Sequence, residues 1–214
     1  DRLEKTLWML AIRSNLLKRG FPCVLRLNDS DTALHFVNKE KLNDFSQRGP
    51  LTPNHILRTK RLPLIQNTLV PPEQYLDEVS ARLDAYEREY RAYFIRNCER
   101  MKVKFDISDP WPRVFLLPEI GIVTAGSSEQ DAEISLDIYL RTTQVILQAE
   151  KMSCYESLSE EDLFDMEYWV LERAKLDLRP GVKPLSGKVA LVTGGAGGIG
   201  RAITWELWAQ GAVV

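Results

Sequence analysis

The sequence predicts an α/β protein in which a small sheet is flanked by long helices and is followed by the first β–α–β portion of a doubly wound sheet. Two observations support this fold class. Long amphipathic helical patterns alternate with short apolar, β-branched runs over the first 150 residues. Near the end, an apolar run leads into a glycine-rich loop and another helical pattern. We therefore predict an α/β region at 1–150, a helical linker at 151–187 and a truncated unit at 188–214.

The composition excludes several classes of function. The 214 residues carry 28 Lys and Arg against 30 Asp and Glu, a net charge of −2, which argues against a nucleic-acid or polybasic membrane surface. No apolar run reaches the roughly 20 residues that span a bilayer. Three separated cysteines fit a reducing compartment, so we expect a cytoplasmic protein without a nucleic-acid or membrane partner. Two histidines are too few for a three-histidine metal site.

The 1–150 region opens with a helix at 1–20 and continues as an α/β core at 21–150. Apolar residues at helical spacing predict the first helix from about residue 3 to 19 and suggest its buried face: Leu3, Leu7, Leu10, Ala11 and Leu17. The run at 23–27 is typical of a short strand. Those at 113–117 and 120–124 indicate either two short strands or one bent strand, and a helix is predicted at 128–151.

A heptad stripe makes the segment 72–101 the clearest helix of the chain. The apolar and aromatic members of the stripe are Leu76, Val79, Leu83, Tyr86, Tyr90 and Tyr93. A helix this amphipathic must bury its stripe, either on the rest of the domain or on a second copy of the chain. We expect a homo-oligomer.

A small cluster of basic residues lies between two proline-marked breaks in the chain. It comprises His55, Arg58, Lys60 and Arg61. Short charge clusters are most often solvated surface. The alternative is an anion or phosphate site, because guanidinium and ammonium groups bind such oxygens with charge-assisted hydrogen bonds. The sequence fits both a solvated surface and an anion site.

The glycine-rich loop is the motif with the most specific chemistry. An apolar β-branched run at 188–193 meets the loop, a helical pattern follows at 201–210, and 212–214 starts a second strand. Glycines allow a positive φ and let a backbone approach a diphosphate, while the following helix presents free N–H groups and its dipole. No Gly-Lys-Ser/Thr follows, so the loop is not a P-loop.

This loop resembles the TGxxxGIG pattern of short-chain dehydrogenases/reductases. The matching residues are Thr193, Gly194, Gly198, Ile199 and Gly200, preceded by the run LSGKVALVTG. The resemblance implies a Rossmann-type fold that binds a nicotinamide cofactor through these residues. NAD is favoured, with NADP not excluded, because the loop holds no basic residue. The family's catalytic Ser and Tyr-x-x-x-Lys would lie beyond Val214, so we assign no catalytic residue.

The preceding segments at 49–65, 109–126 and 158–176 resemble bifunctional class II aldolase/short-chain dehydrogenases of the rhamnulose-1-phosphate aldolase/alcohol dehydrogenase type. The resemblance implies cleavage of a ketose 1-phosphate and NAD-dependent aldehyde/alcohol oxidoreduction, with phosphosugar and aldehyde as substrates. Its divalent metal would be held only in an upstream part, so we predict no metal ligand here. The alternative is a non-catalytic connector or oligomerisation module that binds at most a phosphate or sugar phosphate.

Overall fold

The computed structural model describes residues 1–177 and 183–214, and the side chains of 175–177 are not described. Helices of the described residues are Arg2–Lys18 (α1), Asp31–Val37 (α2), Leu42–Phe45 (α3), Ile56–Thr59 (α4), Tyr75–Met101 (α5), Glu129–Met152 (α6), Glu160–Glu167 (α7), Val170–Asp177 (α8) and Gly198–Ala209 (α9). The strands are Val24–Asn28 (β1), Leu64–Ile65 (β2), Val114–Leu117 (β3) and Gly121–Gly126 (β4). The predicted α/β class, with a small sheet among long helices, is confirmed.

The four strands form one sheet in the order β1-β4-β3-β2. β4 pairs antiparallel with both β1 and β3, and β2 runs parallel to β3. A tight turn separates β3 from β4, with Glu119 at a φ of 65° and its N–H donating to Asn38 Oδ1 at 2.7 Å. The region is therefore two short strands. β2 was not predicted, because a two-residue strand directly after a proline shows no alternating pattern.

Both faces of the sheet are covered by helices. Phe115 and Leu117 of β3 pack in a cluster with residues of α1 and α5. Val114 and Leu116, the alternate residues of β3, pack on the opposite face of the sheet with α2 and α6. Alternate side chains of a strand point to opposite faces, so burial on both sides explains why β3 is apolar throughout.

The first helix is confirmed, but of its predicted buried face only Ala11 is buried. Three leucines of that face are exposed: Leu3, Leu10 and Leu17. The buried stripe is instead Trp8, Ile12 and Leu16. Trp8 stacks on Tyr75 of α5 with ring centroids 3.8 Å apart. The largest aromatic residue sets the orientation of the helix because it has the most apolar area to bury.

The stripe of α5 is buried within the same chain. Val79 and Leu83 join the cluster beneath the sheet, whereas Leu76 is exposed and Tyr75 takes its place. Further along, Tyr90 and Tyr93 pack against α7. The stripe therefore does not need a second copy to cover it, and the homo-oligomer stays a prediction.

Two helices lie in the segment that was predicted as a linker. Ser159 caps α7 by accepting a hydrogen bond from the Asp162 N–H at 3.1 Å. Phe164 and Tyr168 then bury their rings against α5. The predicted domain limits remain predictions. No helix among the described residues is both long and apolar enough to cross a bilayer.

Candidate functional site

The glycine loop forms a tight turn between the run ending at Thr193 and helix α9. Gly194 has a φ of 69°, which an L side chain rarely adopts. The Gly197 N–H donates to the Gly194 carbonyl oxygen at 2.9 Å. A Cβ placed on Gly200 would clash with that same oxygen. These two glycine positions are therefore required by the turn itself.

The open side of the loop offers backbone N–H groups. Gly197, the N-cap of α9, makes no side-chain hydrogen bond to the first N–H groups of the helix among the residues that the structure describes. Thr193, Gly194, Gly198 and Ile199 are all exposed. Among the described residues, no atom lies within 4 Å of a Cβ built at Gly198. A narrow turn, open N–H groups and a helix dipole fit the diphosphate of a dinucleotide.

The segment before the loop and the segment after α9 form one parallel β-bridge, as the motif predicts. Val189 and Val213 form a parallel bridge, with Ala190 N–H donating to Val213 O at 2.8 Å and Val213 N–H donating to Lys188 O at 3.0 Å. The side chain of Leu191 is 94% exposed. The bridge residues thus lie on either side of the glycine loop and helix α9. No residue in the described part of the chain covers Leu191 in the apolar run 188–193.

Arg13 ties this loop region to the first helix. Its Nε donates to the Cys23 carbonyl oxygen and its Nη2 to the Gly187 carbonyl oxygen, each at 3.0 Å. Gly187 is buried at a φ of 72°, and a Cβ there would lie 2.6 Å from the Pro22 carbonyl oxygen. The segment that leads into the loop is therefore held against the start of β1.

The basic cluster predicted as an anion site is divided among three acidic partners. Arg58 pairs with Asp131 of α6, with the joined atoms 3.1 Å apart. The other two cations pair with carboxylates of α7: Lys60 with Glu167 at 3.3 Å and Arg61 with Glu160 at 3.5 Å. An incoming phosphate would have to compete with these carboxylates. The anion site stays a prediction.

His55, the fourth member of that cluster, lies in the 3-10 turn that precedes α4. Burial lowers the pKa of its imidazole, and its Nδ1 is buried without a hydrogen-bond partner among the described residues. A neutral imidazole binds an anion less well than a charged one. His55 therefore contributes no evident positive charge to this cluster.

Lys60 and Glu167 form a buried ion pair surrounded by tyrosine hydroxyls. The Lys60 side chain is 8% exposed and that of Glu167 is 4% exposed. Tyr90 OH donates to Glu167 Oε1 at 2.7 Å and lies 3.0 Å from Tyr168 OH, while Tyr93 OH donates to Glu167 Oε2 at 3.2 Å. Burial, followed by the Glu167 charge, raises the pKa of Tyr90 and Tyr93 far above the ordinary value.

Sequence reasoning did not find Glu167 or Tyr168, since it treated α7 only as part of a linker. The available signal was the tyrosine-rich half of the α5 stripe, whose hydroxyls need polar partners when buried. A small pocket adjoins the ion pair and is lined by Arg61, Leu62, Tyr86, Glu89, Tyr90 and Tyr93.

The described residues do not fit a divalent metal. They contain no group of three or more His, Cys, Asp or Glu side chains arranged to hold an ion. His35 is exposed in the last turn of α2, and His55 lies before α4. We therefore derive no step that uses a metal on these residues.

Comparisons with known proteins agree with this architecture. A family model described as "Aldolase class II, second domain" matches residues 4–176. The uncharacterised oxidoreductase YuxG of Bacillus subtilis (strain 168) is 36% identical over 191 residues, which cover 88% of this chain. The same match covers 27% of YuxG, so the chain spans about a quarter of the length of that relative.

Two solved structures resemble the fold. YgbL of Klebsiella pneumoniae, described as a candidate aldolase/epimerase/decarboxylase, superposes with a TM-score of 0.50 at 14% identity. That match covers 76% of this chain and 64% of that structure. YgbL of Escherichia coli, described likewise, gives a TM-score of 0.48 at 14% identity over 77% of this chain and 65% of its own. At this identity the Klebsiella match bears on the fold alone.

Proposed function

Because this chain belongs to the family of the second domain of class II aldolases, we propose that it is a segment of a bifunctional enzyme. One half cleaves a ketose 1-phosphate, and the other carries out NAD-dependent oxidoreduction between an aldehyde and an alcohol. The family match at 4–176 supports the aldolase side. The oxidoreductase name of a relative that is 36% identical supports the other side.

The observation that carries the dehydrogenase half is the loop at 193–200, which lies after the end of the family match at residue 176. Its turn excludes side chains at Gly194 and Gly200, and Gly198 and Ile199 at the start of α9 are exposed. We assign the binding of the NAD diphosphate to Thr193, Gly194, Gly198, Ile199 and Gly200, in the first part of a Rossmann-type unit. The bound nicotinamide would supply the hydride acceptor, while this chain binds and orients it.

The two proposed activities fit chemically. Aldol cleavage of a ketose 1-phosphate releases an aldehyde, and an aldehyde is what a dehydrogenase half of this kind oxidises or reduces. Joining the halves on one polypeptide would limit the escape of a reactive aldehyde. The divalent metal of the aldolase half would be held by residues other than those described here. We place the enzyme in the cytoplasm.

A second candidate is a non-catalytic connector between two enzymatic halves. It is favoured by the lack of a metal-binding group among the described residues. The Arg13 hydrogen bonds that hold the segment before the loop are also what a rigid connector requires.

Gly198→Ala tests the dehydrogenase proposal without disturbing the fold. A Cβ there meets no described atom within 4 Å, and alanine favours a helix by about 1 kcal/mol over glycine. If the diphosphate approaches this backbone closely, the added methyl group should weaken NAD binding at least tenfold in calorimetric titrations, with no loss of thermal stability. The matched control is Ala202→Ser, at an exposed position one turn further along α9.

Equal NAD affinity in Gly198→Ala and the unmodified protein would contradict the proposed contact. No NAD binding by either would favour the connector. The aldolase side is tested separately, by release of dihydroxyacetone phosphate from a ketose 1-phosphate.

A further inference from the structure

The first helix carries three leucines on a face that stays largely exposed in the part of the chain that the structure describes. Leu3, Leu10 and Leu17 are 65%, 57% and 49% exposed. Because they are spaced by seven residues, they form one stripe along α1, with about 10 Å between successive leucines. Single exposed leucines are common on protein surfaces, whereas contiguous apolar patches mark contact surfaces.

The opposite face of α1 is already packed. Trp8, Ile12 and Leu16 are fully buried in the apolar cluster that α1 shares with α5 and β3. Turning the helix to bury the leucine stripe would bring these side chains into water and separate the stacked rings of Trp8 and Tyr75. A surface helix usually has a polar outer face, and a helix that is apolar all round is usually buried all round. The leucine stripe therefore fits a second packing partner for α1.

The spacing of the leucine stripe makes it complementary to itself. Leu3 and Leu17 each lie seven positions from Leu10, on either side of it. A two-fold axis through Leu10 therefore superposes the stripe on that of an antiparallel second copy. Leu10 then meets its own counterpart, and Leu3 of each copy meets Leu17 of the other. A closed dimer requires a self-complementary patch of this kind.

The charges at the two ends of α1 favour the antiparallel arrangement. Glu4 lies in the first turn of the helix and Lys18 in the last. Because they are fourteen residues apart, they lie on nearly the same side of the helix. In an antiparallel pair, Lys18 of each copy lies near Glu4 of the other, and the two helix dipoles oppose each other. A parallel pair would bring like charges and like helix ends together.

We propose that the leucine stripe of α1 is the contact surface of a two-fold, antiparallel dimer of this chain. The contact is one 17-residue helix on another, which is smaller than the roughly 1,200 Å² of a standard protein interface. The dimer is therefore weak and depends on protein concentration. The surface contains none of the residues assigned to NAD, so its test is independent of the proposed function.

Sedimentation equilibrium of the full chain, from about 1 to 500 µM, measures the association. We expect the unmodified protein to pass from monomer toward dimer within this range. Leu10→Glu should raise the dissociation constant at least about tenfold, because two carboxylates would meet on the two-fold axis. The matched control is Ile95→Glu, at a 55% exposed position of α5, which should leave the constant unchanged. A monomer throughout the range, or equal effects of the two substitutions, would overturn the proposal.

Cysteine cross-linking tests the register independently of affinity. The exposed Cys154 is first replaced by serine, and that protein serves as the blank. Leu10→Cys in this background should give a disulfide-linked dimer on mild oxidation, because the residue meets its own counterpart on the axis. Leu3→Cys alone should not, since Leu3 and Leu17 lie about 21 Å apart along the helix, whereas a mixture of Leu3→Cys and Leu17→Cys should link.

Two results of the cross-linking would contradict the arrangement. Self-linking of Leu3→Cys as fast as that of Leu10→Cys would overturn the antiparallel register. No more disulfide in Leu10→Cys than in the blank would overturn the leucine stripe as the contact surface.

Discussion

The run at β3 and the run at 188–193 have similar apolar composition and opposite surroundings. Leu116 of β3 is 0% exposed, because α2 and α6 cover its face of the sheet. Leu191 is 94% exposed, although its run reads as a strand just as clearly. The comparison shows that an apolar, β-branched run predicts a tendency to extend, whereas burial depends on which helices pack on both faces.

The α/β region around the sheet and the glycine-loop region also differ in how their polar groups are paired. In the first region, the cations near α4 are matched by carboxylates of α6 and α7. In the second, the N-cap of α9 makes no side-chain hydrogen bond among the described residues, and Gly198 and Ile199 are exposed. The first region therefore pairs its charged groups internally, whereas the second leaves the start of α9 exposed.

The largest expected effect is a difference between two leucine truncations. Leu116→Ala should lower the free energy of unfolding of the first region by about 2–5 kcal/mol, because it leaves a cavity in a packed core. Leu191→Ala should change it by less than about 0.5 kcal/mol, as expected of exposed positions. Denaturant unfolding followed by far-UV circular dichroism measures both. Similar losses in the two variants would contradict the contrast.

An intermediate loss of stability is expected where Arg13 joins the start of β1 to the segment before the glycine loop. Arg13→Met keeps the aliphatic stem but removes both hydrogen bonds to the Cys23 and Gly187 carbonyl oxygens. At about 1 kcal/mol for each bond, the cost is about 2 kcal/mol. We expect faster hydrogen exchange of backbone amides at 183–190 and little change at 114–117. Exchange that rises equally in both segments would mean that Arg13 stabilises the whole chain.

The smallest effect concerns the thiols. Burial raises the pKa of Cys23 to about 11, opposed by the neighbouring Arg13 and Arg113, whereas Cys154 is exposed. The fold thus favours the neutral thiol, so its stabilising effect is complete below about pH 9 and is lost as the pH rises toward 11. Iodoacetamide at pH 8 should modify Cys154 well before Cys23. Equal rates of modification of Cys23 and Cys154 would show that the structure around Cys23 opens readily.

The parts of the fold that the sequence predicts are those with a strong local period. The long helix α5 is found where its heptad stripe predicts it, with Leu76 as the exposed member of the stripe. The buried face of α1 does not follow the leucine spacing, because Trp8 stacks on Tyr75, a residue 67 positions further along the sequence. Such pairings depend on tertiary packing, which local periodicity does not contain.

The candidate sites follow the same rule. The glycine loop is a local motif, so its turn and helix could be predicted from the spacing of the glycines alone. The Lys60–Glu167 pair joins residues 107 positions apart. Its existence depends on α7 folding back over α5, and a prediction that placed α7 in a linker could not identify it.

The most direct test of the central claim is hydrogen–deuterium exchange with and without NAD. We propose that an aldolase-family region with internally paired charges is followed by an exposed backbone that binds the cofactor. On this proposal, saturating NAD slows amide exchange at 193–201 and leaves 55–61 unchanged. Protection at the basic segment 55–61 with none at the glycine loop, or no protection anywhere in the chain, would contradict it.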